Sequence, residues 1–535
     1  MLHTHMPYVL GHGEWPHGNT WLFEAVLESY IPLLNLINRL DDRGMRSALT
    51  WSMSPILTEQ LLHPQFSDLL INYIRKQIHQ AETDLEKFHR IEDARWNIPM
   101  GTYWKAWYQH RMEDFTDRYA KSIPQALRQA QEKEILELMP TSLTHSYLPL
   151  LQSEHSINMQ IAKALSLHER VYHHKPHIMW LPECGYSPRM NTKRDMGLEE
   201  YMLSNDVRAT IINQTNHFHI VDQSSKWQEL PEHLQPLSIV RIQSNIDKKR
   251  DLSIMIRHQE LCSKIWSEIE GFPSHADYLE FHKKEYDSSL KYWRVTDRAV
   301  GLDKKQPYSP HIAKKKAKQH AREYVQMLET HAREYAEAMN QPGVICLAFD
   351  SELFGHWWFE GPHFLESLIE QINQSEYLNI TTYSESLELQ KELPIVQCSR
   401  GSWGANGNDD SWLNEHTKSI WENIHHAEKM MNEILEEGNP PGSFKQRIAE
   451  LALRELMLMQ ASDWTWLISM KKASDYARER FEEHYAFFEQ LTYIFRSMGD
   501  REHYTEEELI ILQKIEKRDD ILKDIIIDDW HYYSA

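Results

Sequence analysis

The sequence has few cysteines, no long hydrophobic run and no excess of positive charge, and each shortage excludes a class of protein. Its four cysteines in 535 residues, Cys184, Cys262, Cys346 and Cys398, stand far apart. Their spacing fits neither a metal site nor a disulfide framework, so free thiols in a reducing cytoplasm are expected. No apolar run is long enough to span a bilayer. The N-terminus lacks a charged segment followed by an apolar one, so no secretion signal is read. Lys and Arg number 58 against 79 Asp and Glu, a net charge of −21. A phosphate backbone is repelled by that balance, which excludes nucleic acid as a partner. The run Lys314-Lys315-Lys316-Ala317-Lys318 is a local exception and reads as a solvated helix face.

What is present is a chain with an ordinary hydrophobic share, 41%, and an excess of tryptophan, 18 residues. The length predicts two to four units, or a barrel with insertions. Trp403 and Trp412 lie in Gly401-Ser402-Trp403-Gly404-Ala405-Asn406-Gly407-Asn408-Asp409-Asp410-Ser411-Trp412. A tryptophan in so loop-like a stretch points to ligand contact more than to packing.

Two distant segments each place a carboxylate just past a short apolar run. They are Ile178-Met179-Trp180-Leu181-Pro182-Glu183 and Val344-Ile345-Cys346-Leu347-Ala348-Phe349-Asp350. Runs of this length read as buried strands, and the residues after each run are loop-like and aromatic. Carboxylates at the C-terminal ends of parallel strands, with flat rings around them, suit glycoside chemistry. One acid attacks or stabilises the sugar carbon, the other moves a proton, and the rings hold sugar faces. The competing reading, that each acid only caps a strand or pairs with a basic residue, is weakened by their joint occurrence beside tryptophans.

Along the chain, a helix is expected over 21–40, a strand over 47–53 and a helix over 55–62. A helical insertion spans about 70–135, interrupted by Trp96, Trp104 and Trp107. A helix over 154–175 leads to the strand before Glu183. Strands are expected at 208–213, 237–242 and 252–257, and helices at 259–270, 312–338 and 362–374. A short strand is expected at 380–383. This alternation to about residue 400 predicts a parallel α/β barrel. From 401 to 535 the pattern turns all-helical. A helix over 415–437 is followed by a break at Gly438-Asn439-Pro440-Pro441-Gly442. Ser443 and Ser474 are placed to open helices, and Thr505 with Glu508 resembles a capping box.

The chain resembles glycoside hydrolase family 57, and within it the 1,4-alpha-glucan branching enzymes. Five short regions carry the resemblance: His3-Thr4-His5-Met6-Pro7-Tyr8-Val9, the stretch from Thr50 to Leu61, Trp180-Leu181-Pro182-Glu183-Cys184-Gly185-Tyr186, the stretch from Leu347 to His356, and Ala461-Ser462-Asp463-Trp464. It implies an incomplete (β/α)7 barrel over residues 1–400, with the insertion at about 70–135. It also implies a C-terminal helical domain over 401–535 that contributes to the cleft. The implied mechanism is retaining, with Glu183 as nucleophile and Asp350 as general acid/base, their carboxyl groups about 5–5.5 Å apart. By the same resemblance His3, His5, Trp21, His145, Trp266, Trp403, Trp412 and Asp463 line the substrate site.

Related barrels hold a metal with a His-x-Asp pair. Here the third position is His5, so no metal and no other cofactor is expected. The implied partner is an α-glucan, acted on in the cytoplasm by a monomer or homodimer. Two features depart from the family's pattern. The first strand is expected to be short. The stretch 216–247 matches poorly, and no tyrosine lies between Met202 and Tyr278, where the family carries a tyrosine-bearing loop that shields the intermediate from water. Alternative readings are an α-amylase-type hydrolase or 4-α-glucanotransferase on the same scaffold, or a non-catalytic glucan-binding protein.

Overall fold

Nine strands occur among the described residues: β1 Leu2–Thr4, β2 Leu49–Met53, β3 Leu136–Pro140, β4 Ala209–Asn213, β5 Phe218–Ile220, β6 Val240–Gln243, β7 Asp251–Arg257, β8 Phe349–Asp350 and β9 Val396–Cys398. The computed structural model describes residues 1–530 except 15, 190–195, 223–224, 268–270, 286, 391–392, 438–441, 500 and 528–529. The expected break at Gly438 to Pro441 and the end of the expected helix over 259–270 lie outside the described residues. β3, β2, β1 and β8 form one parallel sheet in that order, and β4, β7 and β6 a second sheet in which β4 runs parallel to β7 and β6 antiparallel to it. Every residue of β1, β2, β4 and β8 is buried. Strands covered on both faces are of the kind that reads as a continuous apolar run.

The two sheets are stitched together on both sides. The Trp180 amide donates to Pro140 O (2.9 Å) and the Met179 amide to Ala209 O (3.2 Å), which places residues 178–180 between β3 and β4. The His258 amide donates to Cys346 O (3.0 Å), which ties the end of β7 to the segment leading into β8. Seven chain segments therefore succeed one another by hydrogen bonds: β1, β2, β3, 178–180, β4, β7 and 346–350, the last paired again with β1.

Helices alternate with these strands, but the helical stretch expected as an insertion, between β2 and β3, differs in detail from expectation. It consists of helices Phe66–Arg90, Ile98–Glu113 and Ile123–Glu132. Trp104 and Trp107 do not interrupt a helix; both lie inside Ile98–Glu113 and pack edge-on against each other. Strand β3 is not among the expected elements. Its Glu137 looks like a continuation of the charged helix, yet its carboxylate accepts from Thr50 on the neighbouring strand. Residues 380–383 are not a strand: Thr382 caps a helical turn, Tyr383–Ser386, in a capping box with Glu385. The lysine-rich run lies on the long helix Pro310–Met339 with Lys314, Lys315 and Lys318 exposed.

The C-terminal part is helical: Lys418–Glu436, Phe444–Met459, Ser462–Ser469, Ser474–Met498 and Glu506–Arg518. Ser443 Oγ accepts from the Gln446 amide, and Thr505 with Glu508 closes the expected capping box. Helix Ser462–Ser469 is a further addition to the expected elements, and its start meets the loop that follows β3. Ala461 bridges Ser146, and the Ser462 amide donates to His145 O (3.0 Å). Among the described residues no helix is long and apolar enough to cross a membrane. All four cysteines are free and buried, and burial pushes the Cys184 thiol far above its ordinary range.

Candidate active site

The C-terminal ends of the parallel strands converge on one set of side chains. His3 lies in β1 and His5 just past it, Ser52 lies in β2, Asn213 ends β4, Arg257 ends β7 and Asp350 ends β8. Glu183 sits in the turn after residues 178–180, with φ 61°. Cys184 (φ 50°) and His145 (φ 57°) share this left-handed backbone. For residues with a Cβ the conformation costs on the order of 1–3 kcal/mol each, and it aims the side chain out of the strand direction.

Both oxygens of Glu183 are held. The Trp403 indole N–H donates to Oε2 (2.6 Å) and the Ser462 hydroxyl to Oε1 (2.9 Å). The loop bearing Trp403 is fastened to the same turn, since the Trp403 amide donates to Glu183 O and Gly401 bridges Tyr186. The Trp403 ring packs at 5.2 Å from Trp180 and lies under the Arg257 guanidinium at 5.3 Å. Arg257 is fixed in turn by donating to Ala348 O (2.9 Å) and Asn213 Oδ1 (3.1 Å).

The hydroxyl of Ser462 sets the direction of a longer relay. Because it donates to Glu183, it accepts from Nδ1–H of His145, 2.9 Å away. His145 Nε2 is then bare and accepts from Nε2–H of His3 (2.8 Å), and His3 Nδ1 accepts from Ser52 (3.2 Å). Both histidines are neutral in this scheme. That agrees with burial, which together with the nearby His5 charge lowers their pKa well below the ordinary value. The tautomers are set by the network.

His5 is the opposite case. Burial disfavours its charge, but Asp463, Asp350 and Glu183 around it outweigh that and raise its pKa to about 10. Its Nε2 is 3.3 Å from Asp463 and its Nδ1 3.9 Å from Asp350. Asp350 is buried, and burial pushes its carboxyl up to about 8, with the negative charges of Glu352 and Glu183 adding to the rise and His5 opposing it. Glu183 is also raised by burial, opposed by His5 and by the donors Trp403 and Ser462. At neutral pH Asp350 therefore carries a proton. Behind it, Tyr30 hydrogen-bonds Glu352. Gly355, at φ 134°, passes so close to Glu28 O that no side chain fits there.

His3, His5 and His145 have ligating nitrogens within 4.8 Å of one another, a spacing that suits a metal ion. The donor set does not fit one as it stands. The 2.8 Å approach of His3 to His145 holds a proton between two Nε2 atoms, whereas two nitrogens on one tetrahedral zinc, each about 2.0–2.1 Å from it, stand farther apart.

Seven of the expected residues thus meet: His3, His5, His145, Glu183, Asp350, Trp403 and Asp463. Trp21 is half-buried beside His17, and Trp266 is exposed with its edge on Trp357; both lie outside this network. Trp412 departs from the expectation of a stacking wall. Its indole is 1% exposed and stacks on Tyr147 at 4.3 Å, so the ring is core beneath the Trp403 loop. Sequence reasoning singled out neither Ser462, Ser52, Trp180 nor Arg257. The two serines stand inside quoted motifs, but a serine carries no signal of its own.

Two family models match the chain. Residues 1–397 match the family model described as glycosyl hydrolase family 57. Residues 423–530 match one described as 1,4-alpha-glucan branching enzyme, C-terminal. The chain is 31% identical to a 1,4-alpha-glucan branching enzyme of Thermococcus kodakarensis over 98% of this chain and 77% of that protein. The crystal structure of the Thermococcus kodakaraensis branching enzyme superposes with a TM-score of 0.88 at 29% identity, over 99% of this chain and 95% of that one. An α-amylase of Thermotoga maritima superposes with a TM-score of 0.82 at 27% identity, over 99% and 98% of the two chains.

Proposed function

The chain belongs to glycosyl hydrolase family 57, and from that premise we propose that it is a retaining 1,4-alpha-glucan branching enzyme. The observation that carries this reading is a pair of buried carboxyl groups at the strand ends, Glu183 gripped by two hydrogen-bond donors and Asp350 pushed by burial up to about 8. Glu183, in this reading, attacks the anomeric carbon of an α-1,4-linked glucosyl residue while Asp350 protonates the departing oxygen. The product is a β-linked glucosyl ester on Glu183 and a free chain end. Asp350, now ionised, takes the proton of a glucan 6-hydroxyl as that oxygen attacks the ester, which creates an α-1,6 branch and restores both carboxyl groups. His5, as an imidazolium between Asp350 and Asp463, balances the charge of the pocket, and Trp403 positions Glu183.

We read the seven linked segments as an incomplete (β/α)7 barrel over residues 1–400, with the helical insertion at about 70–135. Residues 401–535 form the helical domain that completes the cleft. The likeness to an α-amylase of the same fold, and the lack of tyrosine between Met202 and Tyr278, favour a second outcome alongside transfer. Water reaches part of the ester and gives hydrolysis. One assay tests the proposal: incubation with amylose, with α-1,6 linkages and reducing ends measured together, with and without a chelator. New α-1,6 linkages should form, reducing ends should rise with them, and the chelator should change neither. Reducing ends that accumulate with no α-1,6 linkage would replace branching by hydrolysis.

A further inference from the structure

Arg257 is a buried cation whose hydrogen-bond partners are both neutral. It is 8% exposed, and its guanidinium donates to Ala348 O (2.9 Å) and to Asn213 Oδ1 (3.1 Å). Among the described residues it forms no ion pair. A buried charge is ordinarily paired with an opposite one, because leaving water is costly. If Arg257 served only to hold two oxygens, a neutral side chain would do so without that cost. The third group it meets is the face of Trp403, whose ring centroid lies 5.3 Å from the guanidinium carbon, within the range of a cation–π contact.

The ring is held for that contact. The Trp403 amide donates to Glu183 O (2.9 Å), and Trp180 packs 5.2 Å away. The preceding residue is tied to the end of β4, since the Thr215 hydroxyl donates to Ser402 O (2.8 Å). The indole N–H is left pointing at Glu183 Oε2, 2.6 Å away. A cation over an indole face draws electron density from the ring, and a polarised N–H is a stronger donor. The retaining cycle makes that strength matter unequally in its two steps. Glu183 gives up its negative charge when the ester forms and regains it when the ester breaks. In the second step the bond from the anomeric carbon to Glu183 opens and its electron pair returns to the carboxylate. The acceptor oxygen bonds the carbon as its proton passes to Asp350. A stronger donor on Glu183 therefore favours the second step.

We propose that Arg257 is a positioning residue that acts through the face of Trp403 to strengthen the N–H bond to Glu183, and so speeds release of the carboxylate from the glucosyl ester. The inference rests on the retaining reading of Glu183. Arg257→Gln removes the charge but keeps a donor for Ala348 O, and Trp403→Phe keeps a ring but removes the N–H. The two are made singly and together and assayed by steady-state and rapid-mixing kinetics on an aryl α-maltoside, with thermal melting as a check on folding. Arg257→Gln should lower kcat about tenfold and KM with it, leave kcat/KM within twofold, and release the aryl alcohol in a burst as the ester accumulates. Added to Trp403→Phe, it should cost less than a further twofold, because its route to Glu183 is already cut. Arg257→Lys, which keeps a cation, should recover at least about a third of the turnover. A kcat/KM that falls as far as kcat would overturn the proposal, as would losses that multiply in the double variant. Loss of folding in both Arg257 variants would make the residue structural and overturn it too. Failure of the underlying reading shows separately, as unvaried protein that releases no aryl alcohol and forms neither α-1,6 linkages nor reducing ends from amylose.

Discussion

Glu183 and Asp350 share one pocket, are both raised by burial, and differ in the hydrogen bonds that reach them. Two donors favour the ionised form of Glu183, while no donor reaches Oδ1 of Asp350 among the described residues. Glu183→Gln should lower turnover at least about a thousandfold with the melting temperature nearly unchanged, because only charge is removed. Ordinary turnover in that variant would take Glu183 out of the chemistry. The acid form of Asp350 exists below its raised value of about 8. Activity on amylose should therefore fall as pH rises through about 8. Asp350→Asn should lose that limb and keep measurable glycosylation only with an aryl leaving group. A pH profile flat from 7 to 9 in the unvaried enzyme would sink the assignment. These two acids were legible in the sequence because each ends an apolar run. Ser462 and Ser52 were not, because what makes a hydroxyl part of a relay is its neighbour in space.

At the level of elements, the loop 401–412 carries two tryptophans that the sequence does not tell apart. Both stand among glycines, asparagines and aspartates, yet one rests on Glu183 and the other on Tyr147. Trp412→Ala should therefore cost about 3–5 kcal/mol of stability, as large-to-small core changes do. Trp403→Ala should leave the melting temperature closer to that of the unvaried protein and lower kcat/KM, since Glu183 loses a donor. Thermal melting beside kinetics separates the two, and a reversal of the pattern would exchange their roles. Elements whose signals are local were legible, such as helix Pro55–Leu62 and the box at Thr505 and Glu508. Strand β3 was hidden because Glu137, a partner of Thr50 across the sheet, has the look of one more charged helix residue. Residues 380–383 misled in the other direction: apolar and β-branched residues suggested a strand, but the Thr382 to Glu385 box turns the chain into a helix.

Over the whole molecule, the pocket is built from parts of the chain that lie far apart in sequence. Ser462, on a helix of the C-terminal part, is the last link of the relay that runs from Ser52 through His3 and His145 to Glu183. Ser462→Ala should slow turnover by about ten- to a hundredfold, the worth of one hydrogen bond to a charged group, without lowering the melting temperature appreciably. Kinetics within twofold of the unvaried enzyme would show that the relay is idle. β1, meanwhile, closes against β8, with the Met1 amino group donating to Leu347 O across 346 positions. For a chain emerging from a ribosome this connection has a temporal meaning. At about 5–20 residues per second, the histidines near the start wait on the order of a minute before Asp463 is synthesised. Throughout that interval the pocket lacks Ser462 and Asp463, so a copy released early carries Glu183 without one of its two donors.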